Sequence, residues 1–81
     1  MKNVKEQIRE YLDIKLRLCG KYMNEEQNFH LAKMQMEQGM GAVEFISITC
    51  RDIDLAHEVM DIYTENYEQE FYKTLFPEVE A

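Results

Sequence analysis

Ala42-Val43-Glu44-Phe45-Ile46-Ser47-Ile48-Thr49-Cys50-Arg51 is the stretch on which the fold class turns. Val43, Phe45, Ile46, Ile48 and Thr49 are strand-favouring types. Strict alternation fails, because Glu44 and Ser47 would point to opposite sides of a strand. On a helical wheel, Ala42, Val43, Phe45, Ile46, Thr49, Cys50 and Ile53 cluster opposite Glu44, Ser47 and Arg51, with Ile48 as the one misfit. A strand would also need a partner. Only residues 12–18, where Leu12, Ile14, Leu16 and Leu18 alternate with Asp13, Lys15 and Arg17, could supply it. We therefore read 42–51 as helix. The fold expected is an all-α compact bundle of three to four helices, at about 3–19, 24–38, 42–51 and 54–72. The alternative is an α+β fold with a strand at about 42–50.

Upstream, Asn3 is a plausible N-cap and Gly20 a plausible stop for the first helix. Val4, Ile8, Tyr11, Leu12, Leu18, Cys19 and Tyr22 fall on one side of it, with Lys15 intruding among them. Asn24 with Gln27 resembles a capping box for a second helix, which Gly39-Met40-Gly41 is expected to end or bend. Phe29, Ala32, Met36 and Met40 form one apolar stripe, and Leu31 and Met34 lie on another face. A helix apolar on two sides is expected between partners.

Downstream, Asp52 or Asp54 should cap a helix running to about Phe71, or to Leu75 before Pro77. Leu55, Ala56, Val59, Met60, Ile62, Tyr63, Tyr67 and Phe71 fill one half of its wheel. Tyr63, Tyr67 and Phe71 read as core or dimer interface. Asp54, Glu58, Asp61, Glu65 and Glu68 occupy the other half at spacings of 4, 3, 4 and 3. Tyr72, Leu75 and Phe76 face away from the aromatic stripe and are expected as an exposed patch. The tail, Pro77 to Ala81, should fray.

With 81 residues, a single domain over 1–81 is expected, with a core small enough that self-association would help it. Two cysteines, Cys19 and Cys50, make no disulfide framework, and no Cys-x-x-Cys pair suggests zinc. Free thiols on apolar faces, a polar N-terminus and no long apolar run point to the cytoplasm and away from a membrane. The net charge is −7, unevenly spread. Residues 1–21 carry six bases against three acids, and residues 22–81 three bases against thirteen acids. So acidic a surface repels nucleic acid and suits basic proteins, or the chain's own basic N-terminal segment.

Catalytic signals are sparse. Ser47 is the single serine and sits in an apolar stretch, and no glycine-rich phosphate loop exists. Gly20-Lys21 after Cys19 and Arg51 after Cys50 put cations near the thiols, yet core thiols are the simpler reading. Asp54, His57, Glu58 and Asp61 offer oxygen and nitrogen donors within two turns, the basis of an alternative reading as a metal-dependent hydrolase centred on His57. Asp54-x-x-His57 has the spacing used in dimetal helical bundles, but the second motif they need is missing. Glu58-x-x-Asp61 resembles half of the magnesium-binding motif of all-helical nucleotide pyrophosphohydrolases, and the paired Glu-x-x-Glu of that family is lacking. No catalytic residue, cofactor or metal ligand is therefore expected.

The function expected is a non-catalytic protein-binding domain: a small acidic inhibitor or modulator that docks an acidic helix on a basic, nucleic-acid-binding partner protein. Rows of carboxylates can stand in for nucleic-acid phosphates, and small acidic phage-encoded inhibitors are similar in general composition. The partner-binding residues expected are Asp54, Glu58, Asp61, Glu65 and Glu68, with Tyr72 and Phe76 alongside. The alternative is a homodimeric structural or adaptor bundle joined through its Met- and Tyr-rich stripe.

Overall fold

Four helices account for most of residues 2–78, the residues the computed structural model describes. They are α1 (Val4–Asn24), α2 (Phe29–Thr49), α3 (Ile53–Asn66) and α4 (Glu68–Leu75). The fold is all-α, and no strand occurs among the described residues, so the α+β alternative falls. The expectation of a frayed tail lies, from Val79 on, outside the described residues.

The helix starts follow local capping chemistry. The Asn3 side chain accepts from the Glu6 N–H at 2.8 Å and donates to the Glu6 carboxylate at 3.0 Å. Of the two candidate caps for α3, Asp52 is the one used, accepting from the Leu55 N–H at 3.1 Å. At α2 the expected cap is corrected. Asn24 is the last residue of α1, and Asn28 caps α2 by accepting from the Leu31 N–H at 3.0 Å. Gln27 turns the chain between them with φ of 50°. The Asn28 N–H then closes the turn on the Tyr22 carbonyl at 2.8 Å.

The glycines do not act as stops. Gly20 lies inside α1, and α2 runs unbroken through Gly39-Met40-Gly41 to Thr49. The two segments expected at 24–38 and 42–51 are one 21-residue helix. Glycine costs a helix interior only about 1 kcal/mol, and packing outweighs it at Gly39. A Cβ there would stand 3.0 Å from Leu12 Cδ2 and 3.8 Å from Phe71 Cζ. The bare backbone lets α2 settle onto α1 and α4.

The expected long C-terminal helix is also corrected, because it breaks at Tyr67. That residue leaves helical geometry at φ −124°, ψ −34°. Its hydroxyl donates to Asp13 Oδ1 at 2.6 Å and lies 3.2 Å from the Arg9 carbonyl oxygen, pinning the break to α1. Past the break, Phe71 and Leu75 enter the core.

The contacts set the topology. Leu12 meets Gly39 and Lys15 meets Gln35, so α1 and α2 are antiparallel. Lys5 meets Glu58 and Arg9 meets Tyr67, so α3 runs alongside α1 in the same direction. Phe71, Leu12, Val59 and Cys19 are the largest fully buried side chains. The core they anchor takes residues from all four helices. Lys15, the charge among apolar neighbours of α1, reaches the Gln35 and Gln38 side-chain oxygens at 3.2 and 2.5 Å and lies over the Tyr11 ring. That satisfies Gln35, the buried polar residue of α2. The Cα envelope measures 39 × 27 × 18 Å. Every helix carries exposed residues and so keeps an outward face.

Candidate functional site

Two outward faces differ from an ordinary mixed surface. The first is the acidic face of α3. Asp54, Glu58, Asp61 and Glu65 are all exposed and recur at helical spacing. Glu68, expected as the fifth member, is half-buried in the first turn of α4 beyond the Tyr67 break. There it favours the helix N-terminus electrostatically. The row is therefore four carboxylates long.

The acidic face meets the basic N-terminal segment of its own chain. Lys5 Nζ lies 2.9 Å from Glu58 Oε2. Lys5, Arg9, Glu58, Asp61 and Glu65 line an open cleft of about 220 Å³ between α1 and α3, together with Ile62 and Asn66. Asp54, Asp61 and Glu65 make no ion pair among the described residues. The carboxylates leave negative charge on the outer side of this face, and Lys5 partly neutralises it on the α1 side. An exposed pair such as Lys5–Glu58 contributes at most about 1 kcal/mol.

Tyr72 and Phe76, expected beside the carboxylates, belong to a different cluster. Their rings stack at 6.1 Å, and Phe76 meets Phe29 of α2 at 5.6 Å. All three stay partly exposed where the end of α4 meets the start of α2. Leu75, expected in that exposed patch, is instead buried. Tyr63, Tyr67 and Phe71 are core, with Tyr63 and Phe71 stacked at 6.3 Å. The aromatic stripe is covered within the chain and offers no interface.

The second face is the outer side of the C-terminal half of α2. Phe45 and Ile48 are 66% and 73% exposed, and Ile53, at the start of α3, is 71% exposed. Phe45 and Ile53, placed with the core-facing cluster by the wheel, are thereby corrected. The wheel had centred that apolar arc between Val43 and Phe45. The structure turns Ala32, Gln35, Gly39 and Val43 inward, which swings Phe45 out. Ile48, the misfit, is the most exposed large apolar residue described. Leu31 and Met34 are half-buried, and the more exposed methionines are Met40 and Met60.

The titratable groups inside are held neutral. Burial pushes the Cys19 thiol up to about 11. Burial, then the hydrogen bond to Asp13 and its charge, raises Tyr67 to about 12, against a smaller lowering by Arg9. Burial, with Glu68 and Tyr72 adding, raises Tyr63 to about 12. A thiol so placed is inert as a nucleophile near neutrality. His57 is exposed, and among the described residues no group of three His, Cys, Asp or Glu side chains could hold a metal ion. No described helix is long and apolar enough to cross a membrane.

Comparison with protein-family models, with curated proteins and with solved structures finds no match. The functional reading therefore rests on the two faces alone.

Proposed function

We propose that the chain is a non-catalytic protein-binding module that docks the acidic face of α3 on a basic surface of a partner protein. One observation carries this reading: four exposed carboxylates stand in one row, and only Glu58 has an ion partner within the described chain. Such a row attracts a cationic groove over a distance and fixes its register on contact. A groove built for nucleic-acid phosphates matches the charge of the row, and on this reading the module is an inhibitor or modulator of a nucleic-acid-binding protein. Among the described residues no three metal-donor side chains gather around His57, so no observation favours a metal-dependent hydrolase.

The test is capture from source cells with the wild-type chain and with a Glu58→Gln, Asp61→Asn, Glu65→Gln variant. Amides are used because cations placed there would confront Lys5 and Arg9. Wild-type chain should retain a basic protein at low salt and release it as salt screens the contact. The amide variant, with unchanged helical circular dichroism, should retain none. Equal retention by both chains overturns the proposal.

A further inference from the structure

We infer that the break between α3 and α4 is a hinge through which two copies of the chain exchange α4. In the exchanged form α3 and α4 join as one straight helix, and each α4 docks on α1 and α2 of the other copy. This inference is independent of the reading of the acidic face. No proline or glycine lies between Ile53 and Phe76. Tyr67 alone separates the two helices, and its N–H still donates to the Tyr63 carbonyl while its own carbonyl accepts from the Phe71 N–H, each at 2.9 Å. A turn of about 60° in φ brings Tyr67 to the helical value. Among the described residues, the Glu68, Gln69 and Glu70 N–H groups have no hydrogen-bond partner, and no side chain caps α4. In a continuous helix they donate to the Thr64, Glu65 and Asn66 carbonyls. The straight form thus gains three backbone hydrogen bonds that the bent form lacks.

What holds the bend is tertiary. The Tyr67 hydroxyl is anchored on Asp13, Phe71 is fully buried against Gly39, and Leu75 is buried beyond it. Straightening within one chain gives a helix of about 35 Å and pulls Phe71 and Leu75 out of this seat. Three exposed hydrogen bonds do not offset the loss of two buried side chains. A second straightened copy restores the burial. Its α4 carries the same Phe71 and Leu75 into the same seat, and the exchange is reciprocal about a two-fold axis beside the hinges. The fit of the occupant is therefore the one the single chain already makes. The stripe of Tyr63, Tyr67 and Phe71, covered within one chain in the bent form, is shared between two in the exchanged form.

The hinge also sets the conditions of exchange. Glu65, Glu68 and Glu70 flank it, and the two-fold brings both sets of carboxylates together. Their repulsion disfavours the exchanged dimer at low salt and fades as salt screens it. Two chains must also release α4 and meet, so exchange needs a high protein concentration. Separation uncovers Phe71 and Leu75 again, so a dimer once formed comes apart slowly.

Refolding the full chain from urea at low and high concentration, in low and high salt, tests this. Sedimentation velocity gives the mass, and hydrogen exchange reports on the hinge amides. Concentrated refolding in high salt should give a dimer of twice 9.7 kDa that persists on dilution. In it the Glu68, Gln69 and Glu70 amides should exchange roughly tenfold more slowly than in the monomer. Gln69→Pro should give monomer alone, with unchanged melting. Proline is tolerated in the first turn of α4, but in a continuous helix its ring clashes with the Glu65 carbonyl. Tyr67→Phe, which frees the break from Asp13, should raise the dimer fraction several-fold. The exchange measurement uses the wild-type chain and decides the matter even if the proline variant unfolds. Monomer under every refolding condition overturns the inference. So does a dimer whose three amides exchange as they do in the monomer, or one indifferent to Gln69→Pro or to Tyr67→Phe.

Discussion

Gly39 and Gly41 stand two residues apart on α2 and meet opposite surroundings. Gly39 faces inward, where Leu12 and Phe71 close to contact distance. Gly41 faces outward beside Phe45 and Ile48 and meets nothing. The same residue type is a packing device on one side of the helix and bare backbone on the other. The contrast shows that α2 is apolar on two sides but covered on one. The inner side is occupied by the chain itself through α1 and α4, and the outer side is left open.

The largest expected effect sets an inner aromatic against an outer one. Phe71→Ala should cost about 3–5 kcal/mol, since it empties a fully buried site. Phe45→Ala should stay within about 0.5 kcal/mol of wild type. Urea denaturation of the two variants reads this directly, and equal losses would erase the distinction between the faces.

The glycines themselves give an intermediate effect of opposite sign. Gly41→Ala should stabilise the helix by about 0.5–1 kcal/mol because nothing opposes the added methyl. At Gly39 the same gain meets Leu12, held at full burial. Overpacking of about 1–3 kcal/mol then leaves a net loss of about 1 kcal/mol for Gly39→Ala. Two stabilising alanines would mean that α1 and α2 do not approach as closely as described.

An effect of similar size to that of the glycines concerns Tyr67, whose anchor on α1 delivers Phe71 beneath Gly39. Tyr67→Phe removes the hydrogen bond to Asp13 and should cost about 1 kcal/mol. It should also change the alkaline profile. Cys19 is raised from 9.0 to about 11, and Tyr63 and Tyr67 from 10.0 to about 12. The unfolded chain therefore loses these protons first, and stability falls as pH rises. Stability should be flat up to pH 9, with respect to these groups, and decline from there to about 12. Tyr67→Phe should shallow the decline above pH 10, as a melting series across that range would show.

Much of the fold was legible in the sequence, and the misses have particular causes. Asn3 and Asp52 cap as read, because a short polar side chain at a helix start acts through neighbours in the chain. Asn24 and Asn28 both qualify as caps by type, and only the turn at Gln27 decides between them. The break at Tyr67 has no proline or glycine to announce it. Its one local signal is Asn66, whose side chain turns back to the Ile62 carbonyl at 3.2 Å. The candidate site was legible in part. The carboxylates of α3 share a face as their spacing requires, while Glu68 leaves it at the break. The approach of Lys5 and Arg9 to that face depends on α3 lying beside α1. Their charge was visible beforehand, but their position was not. The exposed ridge was foreshadowed only by Ile48, which fitted no arc.

By itself the sequence determined the helical class, the caps that depend on adjacent residues and the arcs of residues able to share a face. Those follow from the period of the backbone and from local hydrogen bonding. Only the tertiary structure decided where the helices end and which apolar arc of α2 is covered. It also decided whether the acidic row stands alone or against its own lysine and arginine. A glycine in a helix interior weighs about 1 kcal/mol. Burial of a single large apolar side chain outweighs that at about 1.5–3 kcal/mol. The choice at residues 39–41 thus fell to Leu12 and Phe71, which are distant in sequence.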